Sequence, residues 1–283
     1  MRMNEQCGAC IYDKQKALCG DLAYLAAVDA ILAEHGSTDS SPRMAYRLAQ
    51  AYEARFGTPA SYAAIRKQYN DLVLSVADVI RQKIESSDDP LFESLIYART
   101  GNYIDFAALD NVEPETLIRL LDETAADRHD KEVYASFVRE CEQAESFLLI
   151  ADNCGEIVLD RLMLEQLHRR FPSLKLSVLV RGGEVVNDAL KEDAEYAGIP
   201  DLAEVISSGY PVGGTVIELL NEDAKDALDT ADVILAKGQG NYEGLYGCGY
   251  HVFYLFLCKC QMFADRFSVP RLTGMFTEEN AGS

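Results

Sequence analysis

The chain has 283 residues, of which 48% are hydrophobic and 25% are charged, proportions typical of an ordinary soluble globular protein. Its 46 Asp and Glu outnumber its 26 Lys and Arg, which gives a formal net charge of -20. Such a charge repels nucleic acid phosphates and anionic lipids, so we expect neither as a partner.

No segment of the sequence indicates export or membrane insertion. The first ten residues, MRMNEQCGAC, lack the apolar core of a secretory signal. The longest strongly apolar run, VFYLFLC (residues 252–258), is far too short to cross a bilayer. We therefore expect a cytoplasmic location and no membrane partner. In that compartment the eight cysteines are predicted to be reduced thiols or metal ligands.

The first half of the chain has helical periodicity. In NDLVLSVADVIRQKIES (residues 70–86), the apolar residues that recur at helical spacing are Leu72, Val76, Val79, Ile80 and Ile84. Further on, Leu117, Leu120 and Leu121 repeat the pattern. We predict a mainly helical N-terminal domain over residues 1–140.

From about residue 146 the pattern changes to short apolar runs separated by helical stretches. The runs are SFLLIAD (146–152), LKLSVLV (174–180), EVISSG (204–209), DVILAKG (232–238) and VFYLFL (252–257). Strands that alternate with helices and are apolar on both faces are typical of a parallel sheet covered by helices. We predict that residues 141–283 form an α/β domain, Rossmann-like and three-layered, with a mainly parallel sheet.

Polar or glycine-rich sequences follow four consecutive predicted strands. They include Asp152 and Asn153 after the first strand, Asn187 and Asp188 after the second, Ser207 and Ser208 after the third, and KGQGNYE (237–243) after the fourth. Functional groups of such sheets gather where strands end. These positions are therefore the candidate site.

Asp152, Asn153 and Asp188 offer two carboxylates and an amide carbonyl, the hard oxygen donors that suit Mg²⁺ or Mn²⁺. The alternative is that the Asp-Asn pair only caps the next helix, and that Asn187 caps the helix after it.

Lys237 and the neighbouring glycines suit an anion. The ammonium can neutralise phosphate oxygens, and Gly238 lets backbone N–H groups approach them. Ser208, in the glycine-rich SSGYPVGGT (207–215), adds a hydroxyl to this predicted phosphate site. The alternative for both segments is an ordinary turn.

Two thiols have the spacing of a metal site. Cys7 and Cys10 form a single CxxC, which predicts a zinc site if further cysteines complete it, whereas buried free thiols are the alternative. Cys154 lacks an evident His base in the sequence, so we do not predict a nucleophilic cysteine.

The ordered segments ADNCGEIVLDRLMLEQL, VRGGEVVNDALKEDAEYAG, SSGYPVGGT and AKGQGNYEGL resemble the damage-control phosphatases, formerly a domain-of-unknown-function family numbered 89. CGAC (7–10) and GNYIDF (101–106) resemble its CxxC-containing subfamily, common in prokaryotes. The resemblance implies a helical domain joined to a three-layer α/β domain, and a phosphatase that uses Mg²⁺, Mn²⁺, Co²⁺ or Ni²⁺. It also implies that Asp152, Asn153 and Asp188 bind the metal and Lys237 the phosphate, with Glu156 and Asn187 nearby.

The chain departs from the family pattern at two places. Glu184 stands where the family has a proline, and ASYAAIRKQYN (60–70) keeps Tyr62, Lys67 and Asn70 but lacks the expected Asp-Pro. Neither departure involves a predicted metal ligand, so we expect any effect to be on substrate preference.

The sequence therefore predicts a metal-dependent phosphatase that hydrolyses phosphomonoesters of small metabolites, either sugar phosphates or damaged phosphometabolites. One alternative is an S-adenosylmethionine-dependent carboxyl methyltransferase. In such an enzyme a glycine-rich loop is expected after the first strand and an acid after the second. In this chain an acid and an amide, Asp152 and Asn153, already follow the first strand. The other alternative is a metal- or phosphate-binding module without turnover.

Overall fold

Seven helices precede the sheet in the part of the chain that the computed structural model describes, residues 1–36, 38–105, 114–122 and 128–279. They are α1 (Glu5–Leu18), α2 (Leu22–His35), α3 (Ser41–Phe56), α4 (Ala63–Glu85), α5 (Pro90–Gly101), α6 (Pro114–Asp122) and α7 (Arg128–Cys141). The periodic segment 70–86 lies in α4 and its C-cap, and the second leucine pattern lies in α6. Phe106 of GNYIDF lies outside the described residues.

The second half alternates strands with helices. The strands are β1 (Ser146–Ile150), β2 (Lys175–Val180), β3 (Glu204–Ser207), β4 (Val233–Lys237), β5 (Val252–Leu257) and β6 (Gly274–Glu279). The helices are α8 (Glu156–Arg170), α9 (Lys191–Tyr196), α10 (Glu222–Thr230), α11 (Gly238–Leu245) and α12 (Gln261–Phe267). Two short 3-10 helices, Ile199–Asp201 and Ile217–Leu219, complete it.

The strands form one sheet in the order β3-β2-β1-β4-β5-β6, in which β6 alone is antiparallel to its neighbour. The strand order reverses beside β1, so the ends of β1, β2 and β4 meet at the crevice where such folds bind ligands. The predicted mixed α/β class with a mainly parallel sheet is confirmed. Strand β6 was not predicted from the sequence.

Each strand is apolar on both faces because helices cover both sides of the sheet. In β1, Leu149 belongs to the core packed under α4, α5 and α8, whereas Leu148 and Ile150 point into the opposite core under α10 and α11. Successive side chains of a strand alternate between faces, so a strand buried on both sides reads as a continuous apolar run.

The helical half contributes to the same core as the sheet. Ile84 of α4 and Leu95 of α5 belong to one buried cluster with Leu149 and Val178 of the sheet. Helices α1 to α3 have a separate small cluster that includes Leu48. The division of the chain near residue 140 stays a prediction. None of the described helices combines the length and apolar character needed to span a membrane.

Candidate active site

Two hydrogen-bonded backbone segments form the base of the candidate site. Asn153 pairs with Asp188 in an isolated antiparallel bridge, and Ala189 N donates to Asp152 O at 2.8 Å. The chain that leaves β2 therefore folds back and runs along the end of β1. This return brings together the three residues that the sequence predicts as metal ligands.

Arg181 joins the two carboxylates of this group. Its Nε donates to Asp188 Oδ2 at 2.7 Å, and its Nη2 donates to Asp152 Oδ1 at 3.3 Å. Both aspartates and the guanidinium are buried. Burial raises the pKa of Asp188 to about 6, although the adjacent Arg181 acts in the opposite direction. Burial, followed by the charges of Asp188 and Glu156, raises the pKa of Asp152 well above its usual range.

The structure does not give the Asp-Asn pair the alternative role of helix cap. Helix α8 begins at Glu156, its N-cap residue is Gly155, and no side-chain cap bond is formed there. Asn187 also does not cap α9, since its Nδ2 donates to Ile104 O at 2.9 Å. Neither the Asp-Asn pair nor Asn187 therefore caps a helix with its side chain.

The donor chemistry of the site fits a hard divalent cation. Burial is the main cause of the raised pKa values of Asp152 and Asp188, because a negative charge in the protein interior costs free energy. A cation bound between them would lower that cost, as Arg181 already does in part. Asn153 adds a neutral amide, and its Oδ1 lies 3.3 Å from Asn187 Nδ2. The metal-ligand roles stay predictions.

Lys237 lies fully buried beneath these groups. Its ammonium donates to Ala98 O at 3.0 Å, to Glu156 Oε1 at 2.7 Å and to Asp160 Oδ1 at 2.6 Å. An ammonium has three N–H donors, and these acceptors use all of them. The predicted contact between Lys237 and a phosphate requires that one of these hydrogen bonds be exchanged. That contact stays a prediction.

Asn102 connects α5 to the acidic group, a role that the sequence analysis missed. Its Nδ2 donates to Asp152 Oδ2 at 2.9 Å and to Glu156 Oε2 at 3.0 Å, while its Oδ1 accepts from Leu257 N at 3.1 Å. Asn153 Nδ2 donates to the same two carboxylates. The GNYIDF motif contains this asparagine, but no local sequence signal indicates that its side chain contacts Asp152 after β1 and Leu257 of β5.

Lys259 is a second buried cation that the sequence analysis missed. Its Nζ donates to Asp105 Oδ2 at 2.6 Å, and its side chain is fully buried. Its charge lowers the pKa of both Asp152 and Asp188. Lys259 follows β5. The expectation that functional groups gather where parallel strands end was applied to the first four predicted strands, and the same expectation for the fifth strand identifies Lys259.

The two departures from the expected family pattern, Glu184 and the missing Asp-Pro before Tyr62, are in contact with each other. Glu184 lies in the loop after β2, and the other segment immediately precedes α4. Glu184 Oε1 accepts from Ser61 Oγ at 2.8 Å, from Tyr62 N at 3.0 Å and from Arg66. Hydrogen bonds and charge thus hold this loop against α4 at the position where the family resemblance leads us to expect a proline.

Asn70, in the helical half, supports the segment that follows β1. Its Oδ1 accepts from Gly155 N at 2.6 Å, and its Nδ2 donates to Asp193 Oδ1 at 2.7 Å. Lys67 is exposed and pairs with Asp71 instead.

Gly238 is required where β4 ends. Its φ is +79°, and a Cβ at this position would lie 2.0 Å from Asp152 Oδ2. Any side chain would displace that carboxylate, so the close approach explains the glycine. Ser208 Oγ accepts from Gly182 N at 2.9 Å and holds the loop after β2. Phosphate binding by Gly238 and Ser208 stays a prediction.

The CxxC thiols lie in α1, whereas Cys154 directly follows Asn153 in the chain. Within the described ranges, neither Cys7 nor Cys10 belongs to a group of three or more potential metal-binding side chains, and all eight cysteines are free. Zinc binding by Cys7 and Cys10 stays a prediction. Cys154 is fully buried, and burial raises the pKa of its thiol far above the usual range, which opposes a nucleophilic role.

The fold and the site together define an α/β protein that gathers buried carboxylates at the carboxyl ends of its parallel strands. Residues 14–272 match the family model described as the damage-control phosphatase ARMT1-like domain. The chain belongs to this family, and the resemblance inferred from the sequence is confirmed. Membership supports a phosphatase-type activity and does not favour the methyltransferase alternative. Assignment to the CxxC subfamily stays a prediction.

Individual relatives agree with the family match. A damage-control phosphatase of Pyrococcus horikoshii is 32% identical over 203 residues, 71% of this chain and 68% of that protein. One from Archaeoglobus fulgidus is 28% identical over 240 residues, 82% of this chain and 80% of its own length. The crystal structure of a Pyrococcus horikoshii protein of the domain-of-unknown-function 89 family superposes with a TM-score of 0.79 at 24% identity, covering 98% of this chain and 99% of that one. That superposition supports the fold.

Proposed function

We propose that this protein is a metal-dependent phosphatase that hydrolyses phosphomonoesters of small metabolites, such as sugar phosphates or damaged phosphometabolites. One observation carries the proposal. The carboxylates of Asp152 and Asp188 both contact the single guanidinium of Arg181, at the ends of two adjacent parallel strands. Two buried acids that already share one cation are suited to share a second. Mg²⁺, Mn²⁺, Co²⁺ and Ni²⁺ are the candidate ions.

Asp152, Asn153 and Asp188 would hold the ion. When bound, such an ion supplies a Lewis acid for a phosphoryl oxygen and lowers the pKa of a coordinated water. Arg181 and the bridge between Asn153 and Asp188 fix the two carboxylates before the substrate arrives, so little reorganisation is needed during the reaction.

The remaining charged residues orient the site and balance its charge. Lys237 holds Glu156, and Glu156 accepts from the amides of Asn102 and Asn153 that also donate to Asp152. Lys259, which is hydrogen-bonded to Asp105, adds a further positive charge. These cations and the ion allow an anionic substrate to bind to a chain whose net charge is -20. The attacking group is a water molecule or one of the carboxylates.

A phosphate-release assay tests the proposal. Protein stripped with EDTA should be inactive toward p-nitrophenyl phosphate and a panel of sugar phosphates, and one of the four ions should restore activity. Asp188→Asn should lower kcat/KM by at least about 100-fold, because it removes a charged ligand from the site. Asp223→Asn, an exposed position in α10, is the matched control and should retain full activity.

Two outcomes of this assay would contradict the proposal. Phosphate release that persists in EDTA or in folded Asp188→Asn would refute the proposed site. Metal and phosphate binding without turnover on any substrate of the panel would indicate a non-catalytic module instead.

A further inference from the structure

Three potential metal ligands from three elements converge at the opposite end of the sheet. His251 immediately precedes β5, Glu140 lies in the last turn of α7, and Glu278 lies in β6 opposite Phe253. Glu140 Oε2 is 3.2 Å from His251 Nδ1, and Glu278 Oε2 is 3.4 Å from His251 Nε2. One donor atom from each residue lies within 4.8 Å of the other two. In the described part of the chain, this is the only such group of three.

One ring nitrogen of this group makes no hydrogen bond within the described part of the protein. His251 Nε2 is buried and makes no hydrogen bond of acceptable geometry, although Glu278 is close. A buried ring nitrogen without a partner costs free energy unless something outside the protein binds there. The three side chains are 27%, 32% and 27% exposed for His251, Glu140 and Glu278, so an ion can enter from solvent.

Neighbouring side chains hold two of these groups in place. Ser136 Oγ donates to Glu278 Oε2 at 3.1 Å, and the Phe253 ring lies 5.0 Å from the His251 ring. A hydroxyl that orients a ligating carboxylate is a common outer-shell feature of metal sites.

We propose that Glu140, His251 and Glu278 form a second cation site, distinct from the candidate active site, for a borderline divalent ion such as Zn²⁺. One imidazole nitrogen and two carboxylate oxygens form a donor set that proteins use for zinc, with a water completing the coordination. With the imidazole neutral, the two glutamates carry a charge of about -2, which a dication neutralises.

The position of the cluster separates it from the candidate active site. The predicted ligands Asp152 and Asp188 follow the carboxyl ends of β1 and β2, whereas His251 precedes the amino end of β5, about 17 Å away along the parallel strands. An ion here would connect α7 with β5 and β6, the antiparallel pair at the edge of the sheet. The expected role is to stabilise this edge, since an ion that binds only the folded state shifts the unfolding equilibrium.

The experiment measures bound zinc in full-length variants. Each protein is stripped with chelator, incubated with Zn²⁺, passed through gel filtration and analysed for metal by mass spectrometry. His251→Gln should bind one equivalent less zinc than the unaltered chain. His168→Gln, an exposed histidine of α8, is the matched control and should bind the same amount as the unaltered chain. All three proteins keep the cysteines and the candidate active site, so any zinc bound there contributes equally to each measurement and does not affect the difference.

A second measurement reports on the site itself. Zinc should raise the Tm of the unaltered chain and of His168→Gln by more than that of His251→Gln, and it should shift the ¹⁵N resonances of the His251 ring. Equal zinc content in the unaltered chain and a folded His251→Gln would overturn the proposal. So would ring resonances that titrate with pH but ignore zinc, because they indicate an imidazolium ion-paired with the two glutamates. Neither result depends on phosphatase activity.

Discussion

The ammonium of Lys237 and both of its carboxylate partners, Glu156 and Asp160, are fully buried. Burial acts against the charged form, but Asp160 and Glu156 together raise the pKa of Lys237 above its usual value. The two acids outnumber the one cation, and burial raises the pKa of Asp160 to about 7. Such a group is stable only as a complete set, because each member left alone is a buried, uncompensated charge.

Replacing Lys237 by Met should therefore destabilise the protein strongly. The variant leaves Glu156 and Asp160 without their cation, and we expect the free energy of unfolding at pH 8 to fall by about 3–5 kcal/mol. Lys131→Met, an exposed lysine of α7, is the control and should change stability by about 0.5 kcal/mol or less. Urea unfolding followed by circular dichroism measures both. Equal stability of the two variants would mean that Lys237 is not needed to balance these acids.

At the scale of elements, the sequence predicted the parts of the molecule that depend on local pattern. All five apolar runs are strands, and the residues at the ends of the first two meet as expected. The missed strand, GMFTEE, lies at the sheet edge and is only partly buried, so it has no continuous apolar run. Asn102 was missed because it reaches the site through tertiary packing, which single-sequence periodicity does not report. Lys259 follows the fifth strand, where a functional group is expected from the sequence, but its contact with Asp105 comes from tertiary packing.

The turn from β4 into α11 allows a sharp test of how an element supports the site. Gly238 and Gly247 share a φ of +79°, but a Cβ at 238 would lie 2.0 Å from Asp152 Oδ2, whereas at 247 it meets nothing within 4 Å. In both Gly→Ala variants the positive φ adds backbone strain of about 1–2 kcal/mol. Only Gly238→Ala also displaces a predicted metal ligand, and we expect it to lower kcat/KM by about 100-fold.

Gly247→Ala should lose stability without losing activity toward p-nitrophenyl phosphate. The comparison therefore separates strain from displacement of Asp152. If both variants lose activity equally, the close approach of Gly238 to Asp152 is not what the site requires.

At the scale of the whole molecule, the arrangement of hydrophobic clusters determines which parts unfold together. Side chains from α4, α5 and α7 share one cluster with β1, β2, β4 and β5, although the sequence suggests a boundary near residue 140. The polar contacts of Asn70 and Asn102 cross the same boundary and end at the site. Helices α1 to α3 have their own small cluster, joined to the sheet region by contacts such as Ser41 Oγ to Glu243 Oε1 at 3.0 Å. We therefore expect the helices from α4 onward to unfold with the sheet, and α1 to α3 to open separately.

Two leucine-to-alanine variants test this expectation, since Leu95 and Leu48 are both almost fully buried but lie in different clusters. Each substitution should cost about 2–5 kcal/mol locally. Leu95→Ala should speed hydrogen exchange of amides in α5 and in β1 alike, because both belong to one cooperative unit. Leu48→Ala should speed exchange in α1 to α3 and leave β1 protected. If Leu95→Ala speeds exchange in α5 but not in β1, the helical half is a separate folding unit, and the contacts of Asn70 and Asn102 with the site join two domains rather than parts of one.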